Sequence, residues 1–124
     1  MHDVTQLAII IADDNPERFR TALVMSAAHA ALGRGVRLFL QGAAVALLRS
    51  PIADPDGDRQ TAAGLPTLGQ LVSEATALGV RFAACQSSLA LLGLSADMFG
   101  PDVEWTGMVG FLSHIDPVDR LIVI

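Results

Sequence analysis

Cys85 is the only cysteine in the chain. It follows the apolar run Val80 to Ala84 and precedes Gln86, Ser87 and Ser88. That order reads as a strand running into the first turn of a helix. At such a junction the unpaired N–H groups of Gln86 to Ser88 and the positive end of the helix dipole favour a thiolate over a thiol. A thiolate is the attacking species in disulfide exchange and in persulfide formation. The position alone leaves a second reading open, because free cysteine is also among the most buried residue types and packs as a small hydrophobe. With no second cysteine to resolve an internal disulfide, any exchange is with another protein or a small thiol.

Three other polar segments leave strands in the same way: Asp13 to Asn15, Gln41-Gly42 and Thr106-Gly107. Ligands of open α/β sheets bind beyond the carboxyl ends of the strands. Asp13, Asn15, Gly42, Gln86, Ser87 and Ser88 are therefore the candidate substrate-binding residues around a catalytic Cys85. Asp13 and Asp14 have a cation-binding reading and a plainer one as a turn and helix start. A phospho-accepting receiver domain is excluded: it needs an aspartate where Cys85 stands and a lysine near the end of the sheet, and the chain has no lysine. Asp54, Asp56 and Asp58 imitate a calcium loop, but Arg59 stands where its glycine belongs and Leu65 where its glutamate belongs. Neither a dinucleotide fingerprint nor a P-loop is present, and the acidic turn at Asp13 repels phosphate. No metal site is expected, and the thiol chemistry needs no cofactor. His114, near the end of the last helix, reads as a surface or interface residue, with acid/base work on a neighbouring subunit's Cys85 as the alternative. His29 reads as structural, and His2 falls in a terminus expected to fray. Trp105, Met98 and Met108 read as core or interface packing, with an aromatic-lined pocket as the minor alternative.

The elements that must position these residues are legible from periodicity. Gln6 to Ala12 is a β-branched run, as for a strand covered on both faces. Asn15 caps a helix whose first residue is Pro16 and which stops near Gly33. Val36 to Leu40 is a second strand, and Ala43 to Leu48 a short apolar helix. Ser50 to Leu65 reads as one long mobile loop, a lid or an interface. Thr67 and Gln70 form a capping box for a helix ending at Gly79. Strand Val80 to Ala84 and a helix from Gln86 to Gly93 come next, then one turn over Ser95 to Phe99. Strand Val103 to Thr106, a helix from Met108 to Ile115 and strand Leu121 to Ile124 complete the chain. Alternation of this kind predicts a three-layer α/β/α, Rossmann-like fold with a five-stranded parallel sheet.

At 124 residues the chain is expected to form a single domain, residues 1–124. Apolar residues make up 52% and mean hydropathy is +0.48, a surplus that predicts a subunit interface. The net charge is −5, and the arginines are scattered singly, so no clustered basic face is offered to nucleic acid or to anionic membranes. No apolar stretch is long enough to span a bilayer. The first residues lack a basic region and a cleavage site, so no signal peptide is expected. The lone cysteine fits a reducing, cytoplasmic setting.

The acidic-polar turn after the first strand, the long alanine-rich helix Pro16 to Gly33 and a second strand ending at Gly42 open a recognisable order of elements. It continues with Leu78-Gly79-Val80-Arg81-Phe82-Ala83-Ala84-Cys85, the small helix ending Leu92-Gly93-Leu94, a further strand-helix unit and a terminal strand. This order resembles the DsrE/DsrF-like family, which includes TusD-type sulfur carriers and YchN-like proteins, along essentially the whole chain. The resemblance implies homo-oligomers, trimers or hexamers. It also implies, at the position of Cys85, a thiol that accepts sulfur as a persulfide from a donor protein and passes it to an acceptor. The expected function is thus sulfur relay, as a carrier or a sulfurtransferase component. A non-catalytic binding or assembly module with a buried structural Cys85 is the alternative. A third reading is a small ligand held at the sheet edge under the Ser50 to Leu65 loop.

Overall fold

The structure, a computed structural model, describes residues 5–124; the expectations for the amino terminus, His2 included, lie outside them. Strand β1 (Leu7–Ile11) leads to helix α1 (Pro16–Ala31), strand β2 (Val36–Leu40) and a 3-10 helical segment (Gly42–Leu48). Helices α2 (Gly57–Ala62) and α3 (Leu68–Ala77), strand β3 (Arg81–Cys85) and helix α4 (Gln86–Leu91) come after it. A 3-10 turn (Ala96–Met98), strand β4 (Glu104–Thr106), helix α5 (Met108–Leu112) and strand β5 (Arg120–Val123) complete the order. All neighbouring strands pair in parallel, in the order β4-β3-β2-β1-β5. The anticipated five-stranded parallel α/β architecture is present.

Topology decides which face each helix covers. Strands β1 to β4 are laid down in one direction across the sheet, and the chain then returns past β1 to add β5. Right-handed crossovers place α1, α3 and α4 on one face and α5 alone on the other. On the first face α1 packs against α3, and Phe19 and Leu23 are fully buried, each worth about 1.5–3 kcal/mol of apolar burial. On the second face Phe111 of α5 stacks on Phe39, ring centroids 5.0 Å apart. A five-residue helix covers only part of that face. Leu121 and Val123 of β5 share it with Phe39 through the parallel register, and they remain 47% and 64% exposed.

Local chemistry sets the element ends. The Asn15 carboxamide oxygen accepts from the N–H groups of Glu17 and Arg18 at 2.9 and 3.1 Å, and Pro16 has no N–H to satisfy. Gly33, at φ +83°, turns the chain out of α1. The Thr67–Gln70 capping box forms reciprocally at 3.2 and 2.8 Å.

Several boundaries differ from the sequence-based expectation. The Ser50 to Leu65 segment is not irregular throughout, because its prolines, glycines and aspartates punctuate a helix rather than replace one. The Gly57 N–H donates to the Asp54 carbonyl at 3.1 Å, α2 begins there, and Gly64 at φ +77° ends it. The Asp54 carboxylate accepts from the Leu68 N–H at 2.8 Å, which ties the segment to the first turn of α3. The apolar helix after β2 is 3-10 rather than α and begins at Gly42. The last helix ends at Leu112. Strand β3 is shifted one residue later than expected, so Cys85 is its final residue.

Candidate functional site

Cys85 ends β3 in extended backbone (φ −73°, ψ 117°) and occupies the position before the first residue of α4. It pairs with Thr106 on β4. Only 6% of it is exposed, and it belongs to the apolar core cluster. Gln86 and Ser87 are exposed, whereas Ser88 is buried. The Ser88 hydroxyl oxygen accepts from the Gly42 N–H at 3.0 Å. With that lone pair engaged, the hydroxyl proton is left to donate, and Ser88 is the neighbour whose hydroxyl acts on the Cys85 thiol. The N–H groups of Ser87 and Ser88 open α4 just after the thiol, close enough to act on it, although the Cys85 side chain makes no capping hydrogen bond to them.

Two opposed effects act on the thiol. Burial, the largest single influence, pushes its pKa up; the Ser88 hydroxyl and the Ser88 and Ser87 N–H groups push it down. Together the hydrogen bonds prevail, and the thiol lies below its ordinary value of 9.0.

Gly42 has φ +59°, the left-handed region, and no atom lies within 4 Å of where a Cβ would sit. The constraint there is conformational rather than steric: the chain turns sharply out of β2 and so presents its N–H to Ser88. The contact links the carboxyl ends of β2 and β3. Of the expected binding residues, Gly42, Ser87 and Ser88 are thus gathered around Cys85, and Gln86 is the exposed first residue of α4.

Asp13 and Asn15 are engaged differently. The Asp13 carboxylate accepts from the Asn15 N–H at 3.0 Å and pairs with Arg18 at 3.4 Å, while Asn15 caps α1. Their polar atoms serve their own turn, at the end of a strand separated from β3 by β2. Asn15 also lines a cavity of about 280 Å³ with Arg20, Asp54, Asp56 and Gln60. That cavity lies where the Ser50 to Leu65 segment was expected to cover a ligand, and Cys85 is not part of its lining.

His114 donates from Nδ1 to the Gly110 carbonyl at 2.9 Å and lines a cavity at the amino ends of the strands, the edge opposite Cys85. Trp105 meets Phe99 edge to face at 5.0 Å; it and Met108 pack against the core, while Met98 is 36% exposed. Among the described residues no three His, Cys, Asp or Glu side chains converge to hold a metal ion. No helix among them is long and apolar enough to cross a membrane.

Two features are not visible in the sequence pattern. The Gly42–Ser88 contact joins positions 46 residues apart; its local trace is only a glycine just after one strand and a serine three residues beyond the cysteine of the next. Arg37 falls within a run that reads as an apolar strand, yet it is 6% exposed. A lone charge inside Val36 to Leu40 is the one signal of it.

A sequence model described as the DsrE/DsrF-like family matches residues 6–124. Among solved structures, the ychN protein from E. coli superposes with a TM-score of 0.70 at 16% identity, covering 98% of this chain and 100% of that one. BT1422 from Bacteroides thetaiotaomicron, a conserved protein of unknown function, gives 0.68 at 18% identity over 96% and 94%. MTH1491 from Methanobacterium thermoautotrophicum, also of unknown function, gives 0.63 at 22% identity over 88% of each chain. These likenesses establish the fold. No curated protein matches the chain.

Proposed function

The chain belongs to the DsrE/DsrF-like family, and from that premise we propose that it carries sulfur as a persulfide on Cys85, as a carrier or as a component of a sulfurtransferase. The observation behind this reading is the balance at the thiol. Cys85 ends β3 directly before the first turn of α4, and Ser88 and Ser87 lower its pKa despite burial, an influence that serves a thiolate or persulfide anion and not a packing residue.

In the proposed step the Cys85 thiolate attacks the outer sulfur of a donor persulfide. A new S–S bond forms at Cys85, the donor S–S bond breaks, and the donor leaves as its thiolate. The proton on the outer sulfur travels with it. An acceptor thiolate then attacks that same outer sulfur and regenerates the Cys85 thiolate. There is no net redox change, so no cofactor is required. Ser87 and Ser88 stabilise the charge on sulfur, Gly42 orients the Ser88 hydroxyl, and exposed Gln86 is the side chain nearest in sequence to meet a partner. The lone cysteine suits a reducing cytoplasm. Homo-oligomerisation, as a trimer or hexamer, is proposed on the face that α5 leaves partly open, where Val109, Leu112, Leu121 and Val123 stay exposed.

The 6% exposure of Cys85 and its place in the core cluster favour the second reading, a binding or assembly module with a structural cysteine. Intact-mass measurement after incubation with a small-molecule persulfide donor separates the two. Gain of one sulfur at Cys85, removed by reductant and absent in Cys85→Ser, supports sulfur carriage. No adduct on folded protein supports the structural cysteine.

A further inference from the structure

The amino edge of the sheet holds a charged group that the thiol chemistry does not use. Arg37 sits on central strand β2 with its side chain 7% exposed. Its Nη2 donates to both oxygens of Glu104, at 3.2 and 3.4 Å. Its Nε and Nη1 have neither solvent nor an acceptor among the described residues. Phe111 covers the guanidinium from one side, with its ring centroid 5.0 Å away. Buried arginines ordinarily satisfy their fork with a carboxylate or phosphate engaged through two nitrogens; here one nitrogen does the pairing and two are orphaned.

Beyond Glu104, the surroundings add positive charge. Arg81 is the in-register neighbour of Arg37 on β3, it is exposed, and it forms no ion pair among the described residues. Like charges placed side by side on a sheet repel, and one carboxylate, that of Glu104, is set against the two guanidinium groups. Both arginines line a cavity of about 280 Å³ together with Gln6, Glu104, His114 and the backbone of Gly35 and Gly79. The His114 Nδ1 is engaged by the Gly110 carbonyl, which leaves Nε2 as its free nitrogen. Glu104 is the one acidic wall, and its side chain is 40% exposed, so it can turn out to solvent.

We propose that this cavity is a binding site for a small oxyanion, a phosphate or carboxylate group, held between Arg37 and Arg81. The anion takes the place of the Glu104 carboxylate on Arg37, and Glu104 swings outward as it enters. Arg81 and His114 close the rim. The site lies at the opposite edge of the sheet from Cys85, so it stands or falls independently of the sulfur chemistry.

Amide chemical shifts of the ¹⁵N-labelled chain, titrated separately with inorganic phosphate and with acetate, provide the test. The expected result is saturable movement of Gly35, Gly79 and Arg81, unchanged in Cys85→Ser. The tighter of the two probes identifies the anion class. Arg81→Gln loses one charge-assisted contact and weakens binding about tenfold. Glu104→Gln removes the internal competitor and tightens it several-fold, its amide oxygen still able to accept from Arg37; Arg81→Gln, at an exposed side chain, keeps the test decisive where loss of the Glu104 charge beside buried Arg37 impairs folding. Three outcomes overturn the proposal: no saturable movement up to about 50 mM of either anion, a concentration far above a millimolar affinity; movement spread over the other arginines; or affinities that neither substitution alters.

Discussion

Ser88→Ala removes one hydroxyl and isolates its effect on the Cys85 thiol. The hydroxyl oxygen accepts from the Gly42 N–H at 3.0 Å, and the hydroxyl is the foremost influence lowering the thiol pKa. A hydrogen bond to a charged group is worth about 1.5 kcal/mol at the lower end of the measured range. That figure shifts the thiol–thiolate equilibrium about tenfold toward the thiol. A more basic thiolate is also a better nucleophile, with a Brønsted slope of about 0.4–0.5, which recovers part of the loss. The net fall in reaction rate at neutral pH is therefore about three- to fourfold. Alkylation by iodoacetamide across pH, followed by intact mass, reads both quantities. The midpoint of the profile moves to higher pH by about one unit, and the plateau rate at high pH rises about threefold. An unchanged midpoint, with folding intact by circular dichroism, refutes the assigned role of Ser88.

Gly42→Ala forces a left-handed conformation on a residue with a Cβ, at a cost of about 1–2 kcal/mol. For a chain of this size that lowers Tm by roughly 3–8 °C, measured by calorimetry; no change in Tm contradicts the conformational argument. The depressed Cys85 pKa also links stability to pH. The unfolded chain holds the thiol proton up to about 9.0, whereas the folded chain releases it earlier. Between the folded value and 9.0 the unfolded state binds more protons, so stability rises with pH there. The contribution is full above 9.0 and is lost as pH falls through the folded value. Denaturant unfolding of wild type and Cys85→Ser at pH 7 and pH 9.5 checks this: the difference between them grows toward high pH, and a constant difference contradicts it.

The sheet was legible because buried parallel strands carry an uninterrupted signal. Leu7–Ile11 and Val36–Leu40 are buried at every position, and such strands read as apolar runs. Caps were legible too, since Asn15–Pro16 and Thr67–Gln70 are local chemistry. Helix α2 was hidden because its neighbours Asp54, Pro55 and Gly64 are turn formers, and the hydrogen bond from Leu68 to Asp54 spans 14 residues. At the site, the sequence located Cys85 and the amides after it. It did not reveal that Ser88 is oriented from β2, because that contact depends on strand order. Neither could it separate Gly42 from Asp13 and Asn15: all three come after strands, but only Gly42 leaves the strand next to β3. Arg37 was lost for the opposite reason, since its apolar neighbours outweighed its charge in any window.

The claim on which the rest depends is that folding makes Cys85 more reactive rather than less. Its iodoacetamide alkylation rate at pH 7, measured by intact mass in the folded chain and in the same chain unfolded in urea, tests that directly. The donors from Ser87, Ser88 and the Gly42-oriented hydroxyl predict faster reaction in the folded chain. Slower reaction when folded, with the rate restored on unfolding, contradicts the account and leaves Cys85 a packing residue.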